Sequence, residues 1–63
     1  MQVWYVRGDE DKLLFVEKLD AERHARYLFP DEDAHRRYAR IYYRTVHKYV
    51  LPPGAKQSVL VET

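Results

Sequence analysis

Apolar residues are concentrated in three short segments, and each of them predicts a β-strand. Residues 2–7 (QVWYVR), 12–19 (KLLFVEKL) and 57–62 (QSVLVE) show no helical period, which favours strands where β-branched and aromatic residues are frequent. The first two segments flank the turn-forming run GDED at 8–11 and predict a β-hairpin. Residues 20–29 fit either a short helix or a strand, and an N-capping aspartate followed by helix formers favours the short helix.

A long amphipathic helix is predicted for residues 31–50. Pro30 cannot lie inside a helix, and the three acids that follow it suit a helix N-terminus. No glycine or proline then occurs until the run LPPG at 51–54. At 100° per residue, a tyrosine-rich apolar arc about 200° wide covers one side of this helix. The residues expected to face the sheet are Tyr38, Ile41, Thr45 and Tyr49, and Val46 and Val50 are expected to pack against the short 20–29 segment.

Together these elements predict a single α+β domain over residues 1–63. The long helix returns the chain, so the third strand runs parallel to the second and pairs antiparallel with the first. The predicted fold is a three-stranded antiparallel sheet of order 2-1-3 packed on one long helix, β-β-(short α)-α-β. The third strand would then be a sheet edge with little charge to guard it. A homodimer is therefore a further expectation, formed either through that edge or by pairing of the acidic half of one chain with the basic half of another.

Charge is divided between the two halves of the chain, although the net charge is only +1. Residues 1–33 carry five bases and nine acids, whereas residues 34–63 carry six bases and one acid. Such asymmetry is typical of surfaces that bind a charged partner. The alternative is that the two halves neutralise each other within the fold, because charges in so small a domain lie within about two Debye lengths of one another.

The predicted long helix carries cations on the side opposite its apolar arc. Arg36, Arg40 and Arg44 follow one another at the i,i+4 spacing, where like charges destabilise a helix. Acids elsewhere in the chain, or an external anion, must therefore compensate. Tyr43 lies at the border of the two arcs, and tyrosine beside arginine is typical of binding interfaces. The predicted binding residues are Arg36, Arg37, Arg40, Tyr43, Arg44, His47 and Lys48.

No motif for catalysis or metal binding is found. Gly8 and Gly54 are isolated in turns, the chain has no cysteine, and Ser58 belongs to no nucleophile motif. His35 and His47 would lie about 120° apart around the helix and cannot share a metal. A metal-free ribonuclease would need a pocket around arginine, tyrosine and histidine, for which so short a chain leaves little room. We therefore expect no enzymatic activity, no cofactor and no metal.

The apolar runs and the N-terminal residues also indicate where in the cell the protein is expected. The longest apolar run, LLFV at 13–16, is far shorter than a membrane span, and the N-terminal residues lack the features of a signal peptide. Without cysteine there is no disulfide framework. These observations lead us to expect a soluble cytoplasmic protein.

Two functions fit this pattern. The first is a non-enzymatic protein-binding module that inhibits or modulates a larger, nucleic-acid-handling machine by docking to its surface. Viral and mobile-element proteins of this size class, such as anti-CRISPR proteins and polymerase inhibitors, act in this way. The alternative is direct nucleic-acid binding through the basic helix face, with arginines on phosphates and Tyr43 stacked on a base.

Overall fold

The computed structural model describes residues 1–54 and 59–63, and in these ranges the chain forms five strands and two helices. The part of the third predicted strand at 57–58 lies outside the described residues. The elements are β1 (Gln2–Val6), β2 (Leu14–Phe15), α1 (Lys18–Leu28), α2 (Ala34–Ala39), β3 (Ile41–Thr45), β4 (Tyr49–Val50) and β5 (Val59–Glu62).

The strands form one antiparallel sheet of order β3-β1-β2-β5-β4. The predicted hairpin of β1 and β2 is confirmed, with Trp4 opposite Phe15. The predicted three-stranded order 2-1-3 is wrong, because β5 pairs with β2 and β4, whereas β1 pairs with β3. Since β5 has a neighbour on each side, it offers no edge for the homodimer that was expected there.

The predicted long helix is also wrong, because α2 ends at Ala39 and the chain continues as β3. Isoleucine, two tyrosines and threonine follow in Ile41–Thr45, a composition that favours a strand, and β1 offers the ladder that satisfies their backbone. The strand also avoids the like-charge spacing that continuation of the helix would impose. Three of the residues expected to face the sheet from a helix, Ile41, Thr45 and Tyr49, are instead members of the sheet.

Residues 20–29 adopt the favoured short helix, as α1 covers Lys18–Leu28. It begins within the segment predicted as the second strand, which shrinks to Leu14–Phe15. At the start of α2, the Asp33 carboxylate accepts a hydrogen bond from Arg36 N at 2.8 Å, as expected of an acid at a helix N-terminus. In the described ranges, neither helix combines the length and apolarity needed to cross a membrane.

The sheet is strongly curled, which follows from the short link between its two edges. Strands β3 and β4 are the edges, and only residues 46–48, here called the seam, separate them along the chain. A flat sheet would hold edge strands about 19 Å apart at a spacing of roughly 4.8 Å. The chain from Thr45 to Tyr49 spans at most about 14 Å. The two edges must therefore bend toward each other.

Both ends of the chain are hydrogen-bonded to the seam. Met1 donates to and accepts from Val46, at 2.9 and 2.8 Å. Thr63 N donates to the Lys48 carbonyl at 3.0 Å. These bonds extend the β1–β3 and β4–β5 ladders by one residue each, so they hold the curled sheet at its closing point.

Curling gives the sheet an inner and an outer core. The inner core is built on Val46, which is fully buried where the seam closes the sheet. The outer core lies under α1, whose small residues Ala21 and Ala25 allow the helix to approach Val6 and Phe15 closely. The buried residues of the inner core are Val3, Leu14, Val46 and Leu60.

Candidate binding surface

The seven predicted binding residues lie in three consecutive pieces of structure, and the single helix face expected to hold them is absent. Two tyrosines of β3 and the cations around them remain on one edge of the sheet. Arg36 and Arg37 lie in α2, Arg40 is its C-cap, Tyr43 and Arg44 lie in β3, and His47 and Lys48 belong to the seam.

Arg40 is held inside the fold by several contacts. Its guanidinium forms a bidentate pair with Glu32, with Nε and Nη2 donating to Oε1 and Oε2 at 2.7 and 2.8 Å. Nη1 also donates to the Arg7 carbonyl at 3.0 Å, and the guanidinium lies 3.8 Å from the centre of the Phe29 ring. The hydrogen bond from Arg40 lowers the pKa of Glu32 and raises that of Arg40. Arg40 therefore stabilises the junction between α2 and β3.

Arg44 connects two strands that are not neighbours. Its Nη2 and Nη1 donate to Glu62 Oε1 and Oε2 at 2.5 and 3.2 Å, which ties β3 to β5 across the concave side of the sheet. This hydrogen bond lowers the pKa of Glu62 and raises that of Arg44. Both side chains are about 40% exposed (43% and 40%), so solvent screens the pair.

The remaining cations differ in whether they form hydrogen bonds or ion pairs with other described residues. Arg37 donates to the Glu32 carbonyl and is half-buried. The exposed side chains of Arg36, His47 and Lys48 make no hydrogen bond or ion pair with the part of the chain that is described. Of the two alternatives that the sequence leaves open, compensation by acids of the chain is the one found for Arg40 and Arg44.

Two tyrosines project from opposite sides of β3. On the outer side Tyr43 packs against Trp4, with ring centres 5.1 Å apart, and 58% of its surface is exposed. On the concave side Tyr42 stacks on Tyr5 at 5.7 Å, with the Arg7 guanidinium 6.0 Å from its ring. Tyr42 is 42% exposed. Each ring contacts a neighbouring aromatic ring and still exposes a large part of its surface, as is common for aromatic residues at interfaces.

The side of β3 that faces away from β1 presents unpaired backbone N–H and C=O groups. Val46 exchanges two hydrogen bonds with the first residue of the chain, so every second residue back from it, Arg44 and Tyr42, also bonds to β1. The intervening residues Tyr43 and Thr45 direct their N–H and C=O groups away from β1. In the described ranges nothing pairs with these groups. This unpaired side of the strand, away from β1, is called the β3 edge.

A buried acid in the predicted turn at 8–11 organises the hairpin loop. Asp9 is almost fully buried, and its carboxylate accepts hydrogen bonds from Asp11 N and Leu13 N at 3.0 and 3.1 Å. Its Oδ2 lies 2.9 Å from His24 Nε2 on α1. The GD pair at 8–9 signalled a turn, but only the fold shows that this carboxylate connects the turn to α1.

An open cavity of about 600 Å³ lies beside the concave face. Tyr5, Leu14 and Leu60 contribute its apolar lining, and Arg44 and Glu62 contribute charge at its wall. Among the described residues, no three histidine, aspartate or glutamate side chains are grouped as a metal would require.

Comparison with known proteins shows no family for this chain. No family model, no curated protein and no solved structure matches the chain.

Proposed function

We propose that this protein is a binding module that modulates a larger protein by docking to it through the β3 edge and the tyrosines beside it. The observation that carries the proposal is the exposed, ring-anchored pair Tyr42 and Tyr43 on a strand with an unpaired side. Tyrosines of this kind supply contact area at little entropic cost. Arg36 and Lys48 add positive charge nearby in the chain, which favours association with an acidic surface.

Rigidity of the surface supports the same function. Tyr43 rests on Trp4, and the backbone of β3 is paired with β1 along its whole length. The Arg40–Glu32 and Arg44–Glu62 pairs hold the strand at its start and near its end. A surface fixed before binding loses little conformational freedom when it docks.

The test is capture of interacting proteins from a lysate of the producing cell or its host, with and without nuclease. The bait is the full chain, and its variants are Tyr43→Ser at the proposed surface and Tyr27→Ser as the control. Tyr27 is also an exposed tyrosine, at 80% exposure, but it lies on α1. Thermal unfolding confirms that both variants fold.

The proposal predicts one stoichiometric protein partner that survives nuclease, is retained by Tyr27→Ser and is lost with Tyr43→Ser. A partner that is released by nuclease would instead support nucleic-acid binding, with Tyr43 stacking on a base. Equal retention by the two tyrosine variants, or the absence of any stoichiometric partner, contradicts docking through β3.

A further inference from the structure

We infer that the segment of the partner that docks on β3 is an extended acidic peptide, which adds to the sheet as a sixth strand. The inference rests on the proposed function and specifies its partner. Tyr43 and Thr45 offer alternating N–H donors and C=O acceptors on the β3 edge. An extended peptide satisfies both kinds of group at the same spacing.

The two edges of the sheet are protected to different degrees. The β4 edge is two residues long, and Pro52 and Pro53 follow it closely, so it offers little backbone for pairing. The β3 edge is five residues long and contains no proline. Its register with β1 runs without interruption from Gln2 opposite Thr45 to Val6 opposite Ile41. Natural sheets usually guard such an edge, so β3 is the edge at which an added strand fits.

The positive charge of the residues in and around β3 favours an acidic peptide as the added strand. Residues 34–50, which include β3 and both segments that flank it, carry five lysines and arginines and no acid. Glu32 and Glu62 compensate Arg40 and Arg44, and Asp33 lies beside Arg36 at the start of α2. Arg37 and Lys48 remain without an ion pair in the described ranges. Glutamate or aspartate on a docked strand would gain from this field.

The same charge argues against a second copy of the chain as the occupant, because pairing β3 with β3 would bring two cationic segments together. A nucleic acid satisfies the edge less well than a peptide. Phosphates accept hydrogen bonds from N–H groups, but they leave the carbonyls of Tyr43 and Thr45 without donors. An acidic peptide is the occupant that meets both the charge and the backbone requirement.

The first experiment uses a display library of random ten-residue linear peptides, selected on the immobilised full chain. The strongest binder is then synthesised in three forms: unmodified, N-methylated at alternate peptide nitrogens, and N-methylated at the other alternate set. An added strand uses only every second nitrogen. Binding should fall about tenfold or more in one methylated form and stay within about twofold in the other.

The second experiment removes a backbone hydrogen-bond donor from the β3 edge of the protein. Thr45→Pro removes an N–H that points away from β1, so the β1–β3 ladder stays intact, and Thr45→Val is the matched control that keeps the N–H. Affinity for the selected peptide should fall about tenfold or more with proline and change less than about twofold with valine. The methylated peptides test the same bond without altering the protein, so poor folding of the proline variant leaves the question decidable.

Three results would overturn the inference: selected peptides with no excess of acids, equal binding of the two methylated forms, or dimers of the chain that form through β3 in light scattering. Failure of the inference is distinguishable from failure of the proposed function. If the captured partner requires Tyr43 but binds Thr45→Pro as tightly as the unmodified chain, docking at β3 holds and strand addition is wrong. If no captured partner requires Tyr43, the proposed function itself is wrong.

Discussion

Truncation of Val46 should cost far more stability than the same truncation at Val50. Val46 is fully buried at the seam against the inner core, whereas Val50 on β4 is 51% exposed. Val46→Ala removes two buried carbons, worth about 1.6 kcal/mol at roughly 0.8 kcal/mol each. The cavity left behind raises the loss to about 2–3 kcal/mol, since a seam pinned by hydrogen bonds collapses only in part.

This loss is large for a chain of 63 residues, for which roughly 0.05–0.15 kcal/mol per residue gives a total stability of about 3–9 kcal/mol. We expect Val46→Ala to lower Tm by roughly 10–20 °C. Val50→Ala should cost less than about 1 kcal/mol, because the removed carbons are already partly in water. Urea unfolding measures both losses, and similar m-values for the two variants would show that the unfolded state is comparable.

Comparison of the two variants also distinguishes the curled sheet from a continuous helix over the same residues. On a continuous helix, Val46 and Val50 would share one face at the i,i+4 spacing and would lose similar stability on truncation. Losses within about 0.5 kcal/mol of each other would therefore refute the curled sheet closed by Val46.

Three further predictions concern the loop and the ion pairs. Gly8→Ala should destabilise the fold by about 1–2 kcal/mol in thermal unfolding, because φ is +95° and a Cβ would lie 2.9 Å from Arg40 Nη1. Asp9→Ala should cost about 3 kcal/mol in urea unfolding, because it leaves buried N–H groups without an acceptor; a loss below about 1 kcal/mol would contradict its role in the loop. The folded-state pKa values of Glu32 and Glu62 are lowered, so their stabilisation is present above the ordinary value of 4.5 and is lost as the pH falls through the lowered values. Urea unfolding should show this decline in acid, and Glu32→Gln should make it shallower.

Local features of the fold were predictable from the sequence. The β1–β2 hairpin follows from a β-rich run before a GD turn, and the start of α2 follows from Pro30 and the capping acid Asp33. The end of α2 is not marked by a helix breaker, because no glycine or proline follows Ala39 before Pro52. Two features of the sequence do indicate that the helix ends early. Residues 41–45 have a β-forming composition, and the apolar arc is too wide for one helix–sheet contact.

The candidate site was predictable in composition but not in geometry. Tyr43, one of the predicted binding residues, lies exposed on an edge strand, whereas Arg37 and Arg40, predicted with it, are half-buried. The pairing of Arg44 with Glu62 depends on curling of the sheet, which brings residues 18 positions apart together and leaves no periodic trace in the sequence. The unpaired side of β3 is likewise a property of strand order, which non-local pairing decides.

Amide hydrogen exchange along β3 in the free chain tests the central claim most directly, because the claim is that residues 41–45 form a strand bonded on one side only. The amides of Tyr42 and Arg44, which face β1, should be protected, whereas those of Tyr43 and Thr45 should exchange rapidly. Protection that alternates with a period of two is the predicted result. Uniform protection from Tyr42 to Thr45, as in a continuous helix or a strand paired on both sides, would contradict the account.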